Sequence, residues 1–219
     1  MAHDIYDDHE QGERVRKWLS ENSASLVIGV VAAFAVYFGW DQYLNFQANQ
    51  KIQAAQTYEG FESSINSNQV DAAEAQLSQL ETHYSDNLLA DLAALRLAAK
   101  MVEDGNLDRA TSLLSGLRSS QHTGIADIAG LRLARLFIAR DQAQQALDVI
   151  ASVSASDELE AVVAEVRGDA LVRLGRTDDA KAAYEAAVTA IGGNPRPALE
   201  MKLEHLKAGD APVAMEQAS

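Results

Sequence analysis

The chain contains no cysteine, which excludes disulfides, thiol nucleophiles and Cys-based zinc or iron–sulfur sites. Proline occurs only three times, and no period-2 apolar alternation persists, so a sheet architecture is excluded and an all-α chain is expected. Basic residues are few: 18 Lys and Arg stand against 32 Asp and Glu, for a net charge of −14. Residues 1–40 hold six acids and three bases, so the remainder holds 26 acids against 15 bases, or −11. Nucleic acid and anionic lipid headgroups both need a basic footprint, and this balance argues against either as a partner. The acidity serves solubility. The five histidines, His3, His9, His83, His122 and His205, are dispersed, and none has an HExxH-type neighbour. No Gly-rich phosphate loop, nucleophile elbow or paired-carboxylate signature occurs. Asp178-Asp179 falls at a helix start, where carboxylates complement the helix dipole. His3 and His9, with Asp4, Asp7 and Asp8, read as a solvated tail. The chain is therefore not read as an enzyme, and no catalytic, metal or cofactor residue is assigned.

What the sequence does contain is one long apolar run, Ser23 to Trp40, with no charge between Glu21 and Asp41. A membrane-spanning helix needs about 20 apolar residues, so the run is at the short end of that class. Its eight Leu, Ile, Val and Phe residues favour insertion by about 2 to 5 kcal/mol. Trp18 and Trp40 bracket it, about 33 Å apart on a helix rising about 1.5 Å per residue, as an aromatic belt requires. Ala33-Phe34-Ala35 resembles a signal-peptide cleavage site, but VYFGW extends the apolar run beyond it and the preceding segment is acid-rich. An anchor is expected. Arg14, Arg16 and Lys17 precede the run, whereas Lys51 is the first base after it. The positive-inside rule then places the N-terminus in the cytoplasm and the rest across the membrane, in the periplasm of a bacterium. The expected divisions are a cytoplasmic tail (1–22), a transmembrane helix (23–40), a periplasmic domain (41–208) and a disordered tail (209–219). Met1 to Gly12 is expected to be mobile. A helix can continue well past Lys51, with Gly60 as its weak point, and Asn66-Ser67-Asn68 is the first clear stop.

Beyond that stop the sequence repeats. Small residues recur at Ala73, Ala110, Ala146 and Ala180, and four residues after each stands Leu77, Leu114, Ile150 or Tyr184. Each is preceded by a turn, at Ser67-Asn68, Glu103-Asp104-Gly105, Arg140-Asp141 and Gly175, and before each turn lies another apolar-periodic helix. The pattern is four helix pairs at a period of roughly 34 residues. The last unit, Gly168 to Pro195, resembles a tetratricopeptide repeat in Gly168, Gly175, Ala180, Tyr184 and Ala187. Gly168 and Ala180 sit where the helices of the pair cross, Tyr184 and Ala187 face the next unit, and Gly175 permits a tight turn. Ala98 and Ala134 take the small position in the middle units. Phe61 departs from it in the first. Pro195 and Pro197 open a final helix whose Leu199, Leu203 and Leu206 cap the last unit, as solenoids require.

In such stacks the first helix of each unit lines the concave face. That assigns Tyr58, Glu62 and Ile65 from the first unit, with Leu92, Leu95 and Val102 from the second. The third gives Ile128, Leu131, Arg135 and Ile138, and the fourth gives Val162, Asp169, Val172 and Arg173. So apolar a groove suits a hydrophobic peptide or partner helix, unless it closes on itself as core. Within the anchor, Ser25, Gly29 and Ala33 repeat every four residues and form a small-residue face for helix packing in lipid.

IYDDHEQGERVRKWL, followed by one anchor ending YFGW and an Ala-rich repeat domain, resembles the YfgM family, ancillary subunits of the bacterial Sec translocon. The resemblance implies an inner-membrane protein with a periplasmic domain. It also implies association with the SecYEG channel and with the membrane-anchored parvulin-type chaperone PpiD. Unfolded exported proteins leaving the channel are its implied clients. Residues alone leave a second class open, a scaffold for another envelope assembly such as division or outer-membrane biogenesis machinery. The repeat assignment makes a direct prediction. Ala180→Leu overpacks the helix crossing and costs about 1–3 kcal/mol of stability; an unchanged melting temperature contradicts the register.

Overall fold

The computed structural model describes residues 5–154, 156–192 and 196–209. Its helices are α1 (Ile5–Asn66), α2 (Val70–His83), α3 (Leu88–Glu103), α4 (Leu107–Leu117), α5 (Thr123–Ala139), α6 (Ala143–Ile150), α7 (Asp157–Arg173), α8 (Thr177–Ala190) and α9 (Pro197–Gly209). There is no strand among the described residues. The chain divides into two units, Met1–Gln53 and Ala54–Ser219.

In the first unit, α1 is long and apolar enough to cross a membrane. Its most apolar window has a mean hydropathy of 1.8, and none of that window is buried by protein. Val27, Ile28, Val31, Val36 and Phe38 are all exposed. A helix apolar on all sides needs an apolar solvent, and lipid supplies one. Two expectations change here. Helix α1 begins at Ile5, so Ile5 to Gly12 is helical where a mobile stretch is expected; with no proline before Pro195, nothing ends the helix there. The apolar surface also runs past Asp41 through Tyr43, Leu44 and Phe46, and the packed domain begins at Ala54, the first buried residue along the described chain. Met1 to Asp4, Pro195 and the segment after Gly209 lie outside the described residues; Gly209 itself closes α9.

The second unit is four helix pairs and a capping helix. The pairs are the end of α1 with α2, α3 with α4, α5 with α6, and α7 with α8. One backbone device joins the two helices of every pair. Asn68, Gly105, Asp141 and Gly175 all take positive φ, from 56° to 76°. The residue after each donates its N–H back to Ser64, Met101, Phe137 or Leu171, at 2.8 to 2.9 Å. The positive-φ residue itself donates to Ile65, Val102, Ile138 or Val172, at 3.0 to 3.1 Å. This is the Schellman ending, which satisfies carbonyls that the helix terminus leaves open. Asn and Asp serve at two of the turns because their short polar side chains tolerate the left-handed region better than other non-glycine residues.

Five residues after each turn come Ala73, Ala110, Ala146 and Ala180, every one completely buried. Leu77, Leu114, Ile150 and Tyr184 follow four residues later and are buried too. The residue seven before each turn is matched in register with the one nine after it, and only in the fourth unit is the first smaller and the second larger than in the middle units. Gly168 accompanies Tyr184, Ala98 and Ala134 accompany Leu114 and Ile150, and Phe61 accompanies Leu77. Phe61 is fully buried, so the departure at the small position is absorbed by the core, and the close approach in that unit moves to Gly60 against Gln76. Tyr184 faces its own α7 as well as the cap. Its ring lies where a Gly168 side chain would be, 2.3 Å from an added Cβ. On α9, Leu199 is buried in the cluster of Ala164, Tyr184 and Ala187, with Leu203 and Leu206 against it.

Two glycines should therefore respond oppositely. Gly168→Ala drives a methyl into the Tyr184 ring and costs about 1–3 kcal/mol. Gly116→Ala meets open space late in α4 and stabilises by about 0.5–1 kcal/mol through helix propensity. Thermal melts of the two variants check the signs.

Candidate interaction face

The first helix of each pair contributes the side chains on which the binding reading rests, and the fold sorts them. Ile65, Leu95 and Leu131 are core, between 4% and 7% exposed. They belong to the one large apolar cluster of the domain, and little of their surface reaches solvent. The groove closes on itself at these positions, because the period that places a side chain toward the concave side also places it against the neighbouring pair. Tyr58, Leu92, Ile128, Ile138 and Val162 are half-buried against that core. Val102 and Val172 remain 43% and 40% exposed.

Val102, Ile138 and Val172 occupy the same position of successive units, three residues before each left-handed turn. Charge is set beside them. Arg135 is exposed and makes no ion pair with any described residue. Arg173 Nη1 donates to Asp141 Oδ1 at 2.9 Å, tying unit four to the turn of unit three. Arg132, one helical turn from Arg135, donates to the Leu95 carbonyl at 3.2 Å. In unit one, Tyr58 donates to Glu62 Oε1 at 3.0 Å, and Arg96 lies 3.9 Å from Glu62. Burial raises the Tyr58 pKa, and the Glu62 carboxylate adds to it. Asp169 is engaged by Tyr184 and Lys202. The arrangement is a row of apolar side chains flanked by arginines, suited to holding the apolar side of a peptide or helix.

The small-residue trio Ser25, Gly29 and Ala33 lies on α1, and a Cβ added at Gly29 meets nothing within 4 Å. That helix face is open to a neighbour. Two clefts of the domain have no counterpart in the sequence pattern. A cleft of about 360 Å³ is lined by Glu81, Asp91, Ser112 and Ser120 among others, and one of about 440 Å³ by Asp71, Glu74 and Arg109. In the first, Asp91 accepts from the Ser120 hydroxyl and lies 2.8 Å from His122 Nδ1. Burial raises the Glu81 pKa, with the Asp91 charge adding to it. Glu81 and Asp91 stand on different helices with no shared motif, so nothing in the sequence joins them.

A family model described as tetratricopeptide repeat-like domain matches residues 16–208. Three curated relatives carry the name ancillary SecYEG translocon subunit. The Escherichia coli (strain K12) protein is 27% identical over 187 residues, 84% of this chain and 89% of that protein. The Haemophilus influenzae protein is 28% identical and the Aggregatibacter actinomycetemcomitans protein 25%, each over 94% of this chain and its own full length. These matches bear out the resemblance drawn from Ile5 to Leu19 and the anchor. Among solved structures, the MamA RS-1 ArsTM double mutant aligns with a TM-score of 0.57 at 15% identity, covering 73% of this chain and 85% of that one. That likeness is one of fold.

The Glu81 environment gives a pH test. Its folded pKa stands above the unfolded value, so the fold disfavours the charged carboxylate and carries that penalty at neutral pH. Glu81→Gln should raise the melting temperature at pH 7. The gain should fade as pH drops through the folded pKa toward 4.5, where the native residue protonates. A gain that grows in acid contradicts the assignment.

Proposed function

Because the chain belongs to the tetratricopeptide repeat-like domain family, which matches residues 16–208, we propose that it acts by binding proteins, as a membrane-tethered subunit of the Sec translocon. The observation that carries this reading is the name shared by the relatives in three bacteria, aligned over 84% to 94% of this chain. The anchor in α1 sits in the inner membrane with Arg14, Arg16 and Lys17 on the cytoplasmic side, and the repeat domain stands in the periplasm. There it meets SecYEG and the parvulin-type chaperone PpiD and assists unfolded exported proteins after they leave the channel. It performs no catalysis and needs no cofactor.

The row of exposed Val102 and Val172 with half-buried Ile138 between them, and Arg135 and Arg173 beside it, is the docking face for the chaperone or the exported chain. An apolar stripe met by an amphipathic helix supplies affinity, and the arginines fix its direction by pairing with carboxylates. Ser25, Gly29 and Ala33 let a translocon helix approach α1 closely within the bilayer. Leu95 has no part in this face.

Photo-crosslinkers placed at Val172 and Arg135 in intact membranes test the reading. Adducts with a SecYEG subunit and with PpiD are expected, and Val102→Glu with Ile138→Glu should remove the chaperone adduct while the helical melt persists. Adducts confined to division or outer-membrane assembly proteins contradict it.

A further inference from the structure

The last helix pair ends in a seat unlike any other in the stack. Glu165 and Asp169 lie four residues apart on α7, a spacing at which like charges repel. The same two positions carry Tyr58 and Glu62, Leu95 and Ala99, or Leu131 and Arg135 in the other units. Only this unit presents paired carboxylates, and they are satisfied from α9. Lys202 Nζ donates to Glu165 Oε1 at 2.9 Å and to the two Asp169 oxygens at 2.7 and 2.9 Å. The Tyr184 hydroxyl donates to Asp169 at 2.7 Å, and the Lys202 ammonium lies 5.8 Å from the Tyr184 ring centre. Arg196 and Lys207 add pairs to Glu165 and Glu185 at 3.4 and 3.7 Å. Leu199 fills the apolar pocket beneath.

The helix in this seat is held lightly. Among its described side chains only Leu199 is fully buried, and Leu203 and Leu206 are half-buried against the same cluster. The outer pairs of Arg196 and Lys207, 46% and 50% exposed, contribute little, so the Lys202 contacts are the main polar hold. With 13 residues, α9 is also short for a helix standing alone. We propose that the end of unit four is an acceptor site for a basic amphipathic helix of a partner protein, and that α9 occupies it in cis as an internal competitor. The occupant's chemistry is read from α9: a leucine, a lysine three residues on, and further leucines one and four residues after that. The carboxylate pair selects for the cation, and the pocket around Ala164, Tyr184 and Ala187 selects for the leucine. The site is distinct from the face proposed above, so either can fail without the other.

The probe is a labelled peptide of residues 196–209, offered to the full-length protein in detergent and read by fluorescence anisotropy. In the native chain α9 competes at high effective concentration and masks the site. Leu199→Asp releases α9, and peptide affinity should rise about tenfold or more. Adding Glu165→Gln and Asp169→Asn should abolish the capture, and a peptide with both lysines changed to glutamate should not bind. If Leu199→Asp loses helical content, Lys202→Glu replaces it, since it removes the cation and leaves the apolar contact. Equal binding by native and released proteins overturns the proposal, as does capture that survives loss of both carboxylates. A doubled mass in light scattering of the native protein, with no peptide captured after release, assigns the seat to a second copy and overturns it too.

Discussion

Four alanines with no exposed surface set the limits of this domain. Ala73, Ala110, Ala146 and Ala180 allow the two helices of each pair to approach, and any larger side chain there must push them apart. The left-handed residue five positions earlier makes the approach possible at the right place, because it reverses the chain while answering the carbonyls of the ending helix. With turn and crossing locked together, the remaining positions follow. The residue four beyond each alanine is buried, and the residue three before each turn faces outward or is packed only in part. The exception is Ile65, buried in unit one.

This coupling explains what was legible in the sequence. The spacing of the alanines and the turns gave the number of pairs, the final cap and the all-helical class. It also gave the stop at Asn68, since few residues other than glycine, asparagine and aspartate end a helix that way. The assignment of groove side chains was only partly legible. Periodicity states which way a side chain leaves its own helix, not how closely the next pair approaches. Ile65, Leu95 and Leu131 follow the same rule as Val102 and Val172, and neighbouring pairs close over the first three only. The start of α1 is not legible for a different reason: a polar composition suggests mobility, yet no residue there breaks the helix.

The two ends of the domain work with different forces. The core of pairs one to three continues onto α7 as one apolar cluster from Ala54 to Ala170, and its exposed ion pairs, such as Arg140 with Asp108 at 2.7 Å, add little. At unit four the apolar cluster is small, and lysine, tyrosine and two carboxylates take a larger share of the contact. Burial opposes the charge of Lys202, yet Asp169 and Glu165 outweigh it and hold its pKa above the ordinary lysine value. The cap is thereby tied to the charge state of its seat.

The account rests on the reading that an apolar helix and a stack of paired helices serve one purpose, holding a protein-binding surface beside the export channel. Co-purification from native membranes in mild detergent, with the recovered membrane proteins identified by mass spectrometry, tests it most directly. Enrichment of SecYEG subunits and the parvulin-type chaperone is predicted. Recovery of the chain alone, or in company with an unrelated envelope assembly, contradicts the account.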